Sequence, residues 1–206
     1  MIKEEGLEYV EEMRLPQDRT ALYTGYIDRD GKRKGHGVKI FKNGDKYEGA
    51  WLNDKANGKG KFWHSDGDYY EGFWLDDKAH GEGLYTSSNG SSYIGQWEND
   101  MQHGYGKEKW TDKSSYEGEY AMGSKQGKGV YRYADGSVYD GEWHDNQIDG
   151  IGTYTWKDGK VYKGQWKSGN MNGQGVFSWP DGRRYEGEYL NDKKHGFGIY
   201  TWPNGR

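Results

Sequence analysis

A regular spacing of aromatic residues and glycines constrains this chain more than any other feature of its sequence. Seven tyrosines follow one another at intervals of 23 residues, and Tyr23 stands 24 residues before the first of them: Tyr47, Tyr70, Tyr93, Tyr116, Tyr139, Tyr162 and Tyr185. A glycine lies two residues after each tyrosine, a large side chain two residues later, and then a Gly-x-Gly pair. A period of this length is typical of repeat architectures. We therefore divide the chain into a non-repeat leader at 1–22 and eight repeats at 23–46, 47–69, 70–92, 93–115, 116–138, 139–161, 162–184 and 185–206.

Each repeat has the pattern of a β-hairpin. The motif Tyr-x-Gly-x-Trp alternates with period two, as does the segment Gly-Val-Tyr-Arg-Tyr at 129–133, and this alternation is typical of strands. A helix is excluded because each glycine in a helix interior costs about 1 kcal/mol. The sequence predicts an all-β fold, an elongated and twisted single-layer antiparallel β-meander of eight stacked hairpin repeats of about 23 residues.

The turns between repeats predict which face the aromatic rings share. Pro180-Asp181-Gly182 suits a three-residue loop, a type I turn whose glycine is left-handed. A two-residue Asp-Gly turn would shift the register by one and place the aromatic residues of the two strands on opposite faces. We favour the three-residue loop, which pairs Tyr131 with Tyr139, Gly129 with Gly141 and Gly127 with Trp143.

Composition explains why the repeats need both glycines and rings. Glycine accounts for 35 of 206 residues, and only 32% of the residues are hydrophobic, so a conventional aliphatic core is excluded. Glycines opposite the large rings leave room for those rings to lie flat across neighbouring strands, where their burial stabilises a sheet without a second layer. The opposite face is expected to be solvated, because it carries Glu48, Glu71, Glu117, Glu119, Asp140, Glu142, Glu186 and Glu188.

The leader lacks the repeat. Its segment LEYVEEMRL predicts a short helix ending before Pro16, which would cap the first strand; a disordered leader and a partner-binding leader are the alternatives. It has no apolar segment of the kind found in secretory signals. The chain has no cysteine and no apolar run approaching the length of a transmembrane helix, which favours a cytosolic protein.

No group of residues has the spacing of a catalytic or metal site. His80, His103 and His195 occupy equivalent places, but equivalent places are two strands or about 9–10 Å apart, too far to share a zinc ion. Gly58-Lys-Gly-Lys lacks the remainder of a phosphate-binding loop. We predict no enzyme activity, no metal and no cofactor. The net charge of −4 argues against a nucleic-acid partner.

The repeat as a whole, Tyr-x-Gly-x-Trp followed by Gly-x-Gly and Asp/Asn-Gly, resembles the MORN (membrane occupation and recognition nexus) repeat over residues 23–206. The first repeat departs from the pattern at Ile27 and Lys39, and the fourth at Glu108 and Lys113, so less regular packing is expected there. The resemblance implies a scaffold similar to cytoskeletal and ciliary members of protists, such as radial spoke heads and cortical or basal complexes. In some members the array stands beside a catalytic domain, and no such domain fits here.

The predicted function is therefore a non-enzymatic scaffold that binds proteins in a cytoskeletal or ciliary assembly, at the cilium, the axoneme or the cell cortex. The predicted contact surface is the set of second-strand aromatics, since exposed apolar patches mark interaction sites: Tyr85, Trp110, Tyr131, Tyr133, Tyr154, Trp156, Phe177 and Trp179. The alternative is that these rings only stack on one another.

The runner-up function is a peripheral membrane module for anionic phospholipids or phosphoinositides. Its candidate residues are basic clusters: Arg29, Lys32, Arg33 and Lys34; Arg183 and Arg184; Lys193 and Lys194. Interspersed acidic residues favour a solvated face instead. The last strand, at 198–202, has no lysine or proline to protect its edge, which predicts self-association there or continuation of the array in a longer chain.

Overall fold

The computed structural model describes residues 6–16 and 18–205, and these residues form 17 β-strands and no helix. In this described part, no helix has the length and apolarity required to cross a membrane. The strands are β1 Glu8–Leu15, β2 Asp18–Ile27, β3 Arg33–Ile40, β4 Lys46–Leu52, β5 Lys55–Trp63, β6 Tyr69–Leu75, β7 Lys78–Thr86, β8 Ser92–Glu98, β9 Met101–Lys109, β10 Ser115–Ala121, β11 Ser124–Arg132, β12 Val138–His144, β13 Gln147–Thr155, β14 Val161–Lys167, β15 Asn170–Ser178, β16 Arg184–Leu190 and β17 Lys193–Thr201.

The strands group into two units, one ending at Gln102 and one beginning at His103. Within the first unit, β1 to β8 pair antiparallel in sequence order. Within the second, β9 to β17 do the same. The predicted all-β antiparallel meander of hairpin repeats is confirmed, and its elongated outline stays a prediction.

The predicted register between repeats is confirmed. Tyr131 pairs with Tyr139, and the pairs Gly129–Gly141 and Gly127–Trp143 follow along the same two strands. The connecting loop is a tight turn in which the Gly136 amide donates to the Tyr133 carbonyl over 3.0 Å, and Gly136 has a left-handed φ of 93°. This is the three-residue geometry that places the motif aromatics on one face.

Within the second to eighth repeats, the two strands are joined by a tighter turn of two left-handed residues. Asp76 and Asp77, with φ values of 49° and 69°, connect β6 to β7. Such turns match the twist of antiparallel strands, and aspartate and asparagine tolerate the left-handed region better than most residues. They recur at the same place in later repeats, as Asn99-Asp100, Asp145-Asn146 and Asn191-Asp192.

The glycines of the motif pair with one another across the strands, and the motif tyrosine lies over each pair. Gly118 pairs with Gly129, and a β-carbon on Gly129 would lie 2.3 Å from the hydroxyl oxygen of Tyr116. The tyrosine hydroxyl then donates to the Glu119 carbonyl over 3.0 Å. Only glycine leaves space for a ring lying flat on the backbone, so the core of each unit is a layer of rings on one face of a glycine-rich sheet.

The leader differs from the sequence prediction. Residues 8–15 form β1, which pairs with β2, and the predicted helix is wrong. Tertiary pairing overrides local propensity here, because the edge of β2 offers unpaired backbone groups that a strand can satisfy and a helix cannot. Residues 1–5 and 17 of the leader lie outside the described residues, and the leader's role as a cap stays a prediction.

Candidate interaction surface

The motif rings form the buried layer of the sheet face. Tyr139 is fully buried, and its ring meets the ring of Trp143 edge-on at a centroid distance of 5.3 Å. The Trp143 indole donates to the carbonyl of Gly129 on the preceding strand over 3.0 Å. Trp51, Trp74, Trp97 and Trp166 each make the same bond to the glycine 14 residues earlier. These rings are therefore structural, with their polar atoms satisfied.

Burial of the motif tyrosines changes their acidity. Desolvation raises the pKa of Tyr23 and Tyr162 to about 12. It also raises the pKa of Tyr47, Tyr70, Tyr116, Tyr139 and Tyr189. These phenols stay protonated and uncharged well above the pH at which a free tyrosine ionises.

A second set of rings covers the same face in the second unit. We call Tyr131, Tyr154, Phe177 and Tyr200 the inner row, and Trp110, Tyr133, Trp156, Trp179 and Trp202 the outer row. The two rows alternate as one continuous ribbon in which successive ring centroids are 4.2 to 5.6 Å apart. The inner row packs against the motif layer, and the ring centroids of Tyr131 and Trp143 are 6.0 Å apart. The outer row lies at the turns between repeats.

The structure brings seven of the eight sequence-predicted contact residues into this ribbon. Tyr85 is in the first unit, where its hydroxyl is bonded to Asp68. Tyr200 and Trp202 belong to the ribbon, and sequence reasoning missed them. Their position in the eighth repeat, equivalent to that of Tyr131 and Tyr133, is the pattern that identifies them.

Polar groups of the outer row differ from those of the motif layer. No described residue accepts a hydrogen bond from the indole N–H of Trp110, Trp156, Trp179 or Trp202, or from the hydroxyl of Tyr133. All four indoles belong to rings that are partly or largely exposed, and Trp202 is 44% exposed. The outer row therefore offers apolar ring surface together with unused hydrogen-bond donors, a combination enriched at protein interfaces.

The ribbon starts beside a polar cluster in the fourth and fifth repeats. Glu108 stands where most repeats carry an inner-row ring, and its carboxylate accepts a 2.8 Å hydrogen bond from Tyr120, which takes the place of the motif tryptophan. The Lys125 ammonium lies 3.7 Å from the same carboxylate and 4.9 Å from the Trp110 ring centroid. Burial lowers the pKa of Lys125 in spite of this acidic partner.

The first unit has a shorter version of the ribbon. Phe41 and Phe62 lie 5.7 Å apart, and Phe62 contacts the ring of His64 at 4.5 Å. Lys39 takes an inner-row place, with its ammonium 4.3 Å from the Phe41 centroid. The largest continuous aromatic surface therefore belongs to the second unit.

Carboxylates in the two-residue turns have a structural role that the sequence did not reveal. The Asp77 carboxylate accepts a 2.7 Å hydrogen bond from the amide of Ala56, 21 residues earlier, and the Asp77 amide donates to the Ala56 carbonyl. The same bond from the backbone 21 residues earlier is made by Asp54, Asp100, Asn146 and Asp192. These side chains join consecutive repeats.

Three of the eight residues in the predicted basic clusters are paired with carboxylates. Arg33 is buried, forms an ion pair with Asp54 at 3.1 Å and lies over the Trp51 ring, so it does not extend a surface cluster with Arg29. Arg183 and Arg184 pair with Asp181 and Glu186, each at 2.7 Å. These three arginines therefore do not form a patch of unpaired cations.

The opposite face is mixed rather than uniformly acidic. Most of its predicted acids are exposed, among them Glu71, Glu117 and Asp140. It also carries Ile151, which is 60% exposed, beside a shallow groove lined by Val161 and Val176. Over residues 6–16 and 18–205, no three histidine, aspartate or glutamate residues come together as metal ligands would.

Comparison with known proteins identifies the repeat. The family model for the MORN repeat matches residues 29–46, 47–69, 70–92, 93–115, 116–138, 139–161, 162–183 and 185–205. A search of curated proteins finds no match. Among solved structures, the chain is similar to the Drosophila melanogaster SAS-4 (dCPAP) TCP domain in complex with a proline-rich motif of Ana2, at 12% identity and a TM-score of 0.45, covering 76% of this chain and 85% of that one. It is also similar to the Danio rerio CPAP TCP10 domain in complex with a STIL peptide, at 13% identity and a TM-score of 0.36, covering 88% and 90%. Both likenesses are too distant to carry an argument about binding. The eight matched repeats span most of the sequence, and the chain belongs to the MORN repeat family.

Proposed function

We propose that this chain is a non-enzymatic scaffold that binds protein partners through the aromatic ribbon of its second unit. The observation that carries the proposal is the continuity of the ribbon, nine rings that each contact the next on one sheet face. Aromatic residues dominate the energetics of protein interfaces because they bury large rigid surfaces at low entropic cost.

Stacking within the sheet leaves part of each outer-row ring exposed. The motif layer already covers the glycine pairs, and its indoles are satisfied by backbone carbonyls. The inner row covers the motif layer. The outer row adds partly exposed rings whose N–H and O–H groups have no acceptor among the described residues, and a partner would supply both the apolar cover and the acceptors.

The ionisable groups with a shifted pKa are also consistent with a binding role. Exposed turn carboxylates such as Asp135 have a lowered pKa because they accept hydrogen bonds from backbone amides, here that of Ser137. The buried Lys125 is held beside Glu108. These shifts arise from turns and from packing.

We place this scaffold in the cytoplasm, in a cytoskeletal assembly at the cilium, the axoneme or the cell cortex. The support is the family to which the chain belongs and the resemblance of its repeats to those of cytoskeletal scaffolds. The pairing of Arg33, Arg183 and Arg184 with carboxylates reduces the basic clusters that would favour a phospholipid-binding module to their other five members, which makes that module the weaker proposal.

Proximity labelling in the native cell tests the proposal. A double variant, Trp156→Ala with Trp179→Ala, removes two outer-row rings, and Trp63→Ala is the matched control because Trp63 lies on the opposite face of the first unit. We expect the double variant to lose labelled cytoskeletal proteins that the wild type and the control retain, with the circular dichroism of all three unchanged. Identical labelling by all three proteins would overturn the proposed surface.

Sedimentation with anionic vesicles tests the alternative. We expect no salt-sensitive co-sedimentation of the chain with vesicles containing phosphoinositides. Binding that disappears at high salt would instead assign the protein to the membrane.

A further inference from the structure

The outer row repeats at a fixed distance that restricts which backbone conformation can bind along it. Its members lie in equivalent positions of successive repeats, two strands apart, so their donors recur about every 9.6 Å at a strand spacing of about 4.8 Å. The row consists of the five rings named above, and it covers four such intervals, or about 38 Å. A partner that uses all five donors must present acceptors with the same period.

A polyproline II segment has this period. It rises about 3.1 Å per residue with three residues per turn, so the same side of the segment recurs about every 9.3 Å, and its carbonyls make no internal hydrogen bonds. Over four intervals the mismatch with the outer row is about 1 Å. Two turns of an α-helix advance about 10.8 Å, so over four intervals a helix differs from the outer row by about 5 Å. The carbonyls of a helix are also already bonded within the helix. Three residues of a β-strand also span about 10 Å, but residues three apart face opposite sides of the strand and cannot all face the outer row.

The chemistry of the rows agrees with such a segment. Proline-rich segments dock on aromatic-lined grooves, where the rings pack against proline and a donor from the protein bonds to the exposed carbonyl. The outer row supplies four indole N–H groups and the hydroxyl of Tyr133. The inner row supplies an apolar floor, with Tyr154 lying 4.6 Å from Trp156 and 5.5 Å from Tyr133.

The border of the outer row favours an uncharged segment. In the turns beside it, Asp158 pairs with Lys160 at 2.8 Å and Asp181 pairs with Arg183 at 2.7 Å. These four charges therefore have a neighbour of opposite sign, and the charges that form no ion pair among the described residues include one of each sign, the Asp135 carboxylate and the Lys194 ammonium 5.2 Å from the Trp179 centroid. A strongly basic or strongly acidic peptide would find no complementary field here.

We propose that the outer row binds a proline-rich protein segment in the polyproline II conformation, running across the strands, with every third carbonyl accepting a hydrogen bond from one outer-row donor. About 12 residues of this conformation span the row. The inference rests on the proposed scaffold function and names the class of partner that its surface takes.

Calorimetric titration of the 206-residue chain tests it, with oligoproline of about 12 residues as the probe and a glycine-serine peptide of equal length as the reference. We expect saturable binding of oligoproline and none of the reference. Tyr133→Phe removes one hydroxyl and Trp156→Phe removes one indole N–H, and each should weaken binding about three- to tenfold. Trp63→Phe, the matched control on the opposite face, should leave binding unchanged.

Absence of oligoproline binding, equal binding of both peptides, or unchanged affinity in the two outer-row variants would each overturn the inference. The labelling experiment separates this failure from failure of the scaffold function. If labelling still depends on Trp156 and Trp179 while oligoproline does not bind, the surface stands and its partner has another conformation. If labelling is also independent of both tryptophans, the scaffold surface falls as well.

Discussion

Replacing Gly141 by valine should disrupt the second unit, because the motif glycines leave no room for a side chain. Gly141 lies in β12 and pairs with Gly129 on one side and Gly152 on the other. A β-carbon added to it would lie 2.4 Å from the Cα of Gly152 and 2.6 Å from the hydroxyl oxygen of Tyr139. Both distances are far inside van der Waals contact, and the nearer atom is backbone.

The magnitude follows from the two ways in which the structure can yield. If the strands move apart, overpacking costs about 1–3 kcal/mol. If the Tyr139 ring is expelled instead, the loss of roughly 150–200 Å² of ring burial at about 25 cal/mol per Å² costs about 4–5 kcal/mol. We expect Gly141→Val to lower the free energy of unfolding of this region by about 3–5 kcal/mol.

Thermal melting and hydrogen exchange measure this effect. Repeats depend mainly on their neighbours, so amide protection should fall in β11 to β14 and persist in β3 to β6. Asp140→Val is the matched control, because Asp140 is the adjacent residue, is exposed on the opposite face, and valine suits a strand. An unchanged melting curve together with an unchanged near-ultraviolet aromatic spectrum would refute the one-face packing of rings on glycines.

Three further outcomes are expected. Tyr189→Trp should stabilise the chain by about 1–2 kcal/mol in denaturant titrations, because the Tyr189 hydroxyl is buried without a partner and an indole there would reach the Gly175 carbonyl as in five other repeats; a loss of stability would show that this slot is too small. Asp77→Ala should cost about 1–3 kcal/mol by leaving the buried Ala56 amide unpaired, while Asp76→Ala, also at a left-handed φ and with only an exposed 3.8 Å ion pair to Lys55, is the control whose equal cost would contradict the role given to the carboxylate. Because burial raises the pKa of tyrosines such as Tyr23 and Tyr162 to about 12 in the folded state, their contribution to stability is complete below about pH 10 and declines as the pH rises beyond it; tyrosinate absorbance should therefore include phenols that ionise only as the chain unfolds, and complete ionisation with an unchanged circular dichroism would argue against buried phenols.

The fold was predictable because its determinants are local and repeated. Pro180-Asp181-Gly182 predicts the loop, the loop predicts the register, and the register places the rings on one face, as the pairing of Gly129 with Gly141 confirms. The leader was not predictable in this way, since the pairing of β1 with β2 depends on a long-range contact that overrides the local pattern.

The aromatic ribbon was predictable in its residue types and less so in its extent. The rings recur at fixed places in the repeat, and Tyr200 and Trp202 stand at the same places in the last repeat. The 23-residue period alone is therefore enough to assign both rings to the ribbon. Contacts that span 21 residues could not be read from the period, because aspartate in a turn is already explained by turn geometry. The bond from Ala56 to Asp77 and the burial of Arg33 against Asp54 are visible only in three dimensions.

Residues that depart from the repeat at separate places in the sequence contact one another in the fourth and fifth repeats. Glu108 takes the place of an inner-row ring, and Tyr120 takes the place of a motif tryptophan; the two are bonded to each other, and Lys125 adds the opposite charge. Replacing one member alone would leave a buried charge or hydroxyl unpaired, which costs more than an aromatic mismatch. Most of the other repeats have a similar ring layer, so a pairing shifted by one repeat would preserve most of their contacts and break this cluster. The junction of the fourth and fifth repeats is therefore a place where the chain distinguishes one repeat from the next, and Glu108, Tyr120 and Lys125 are a matched set rather than a weakening of the pattern.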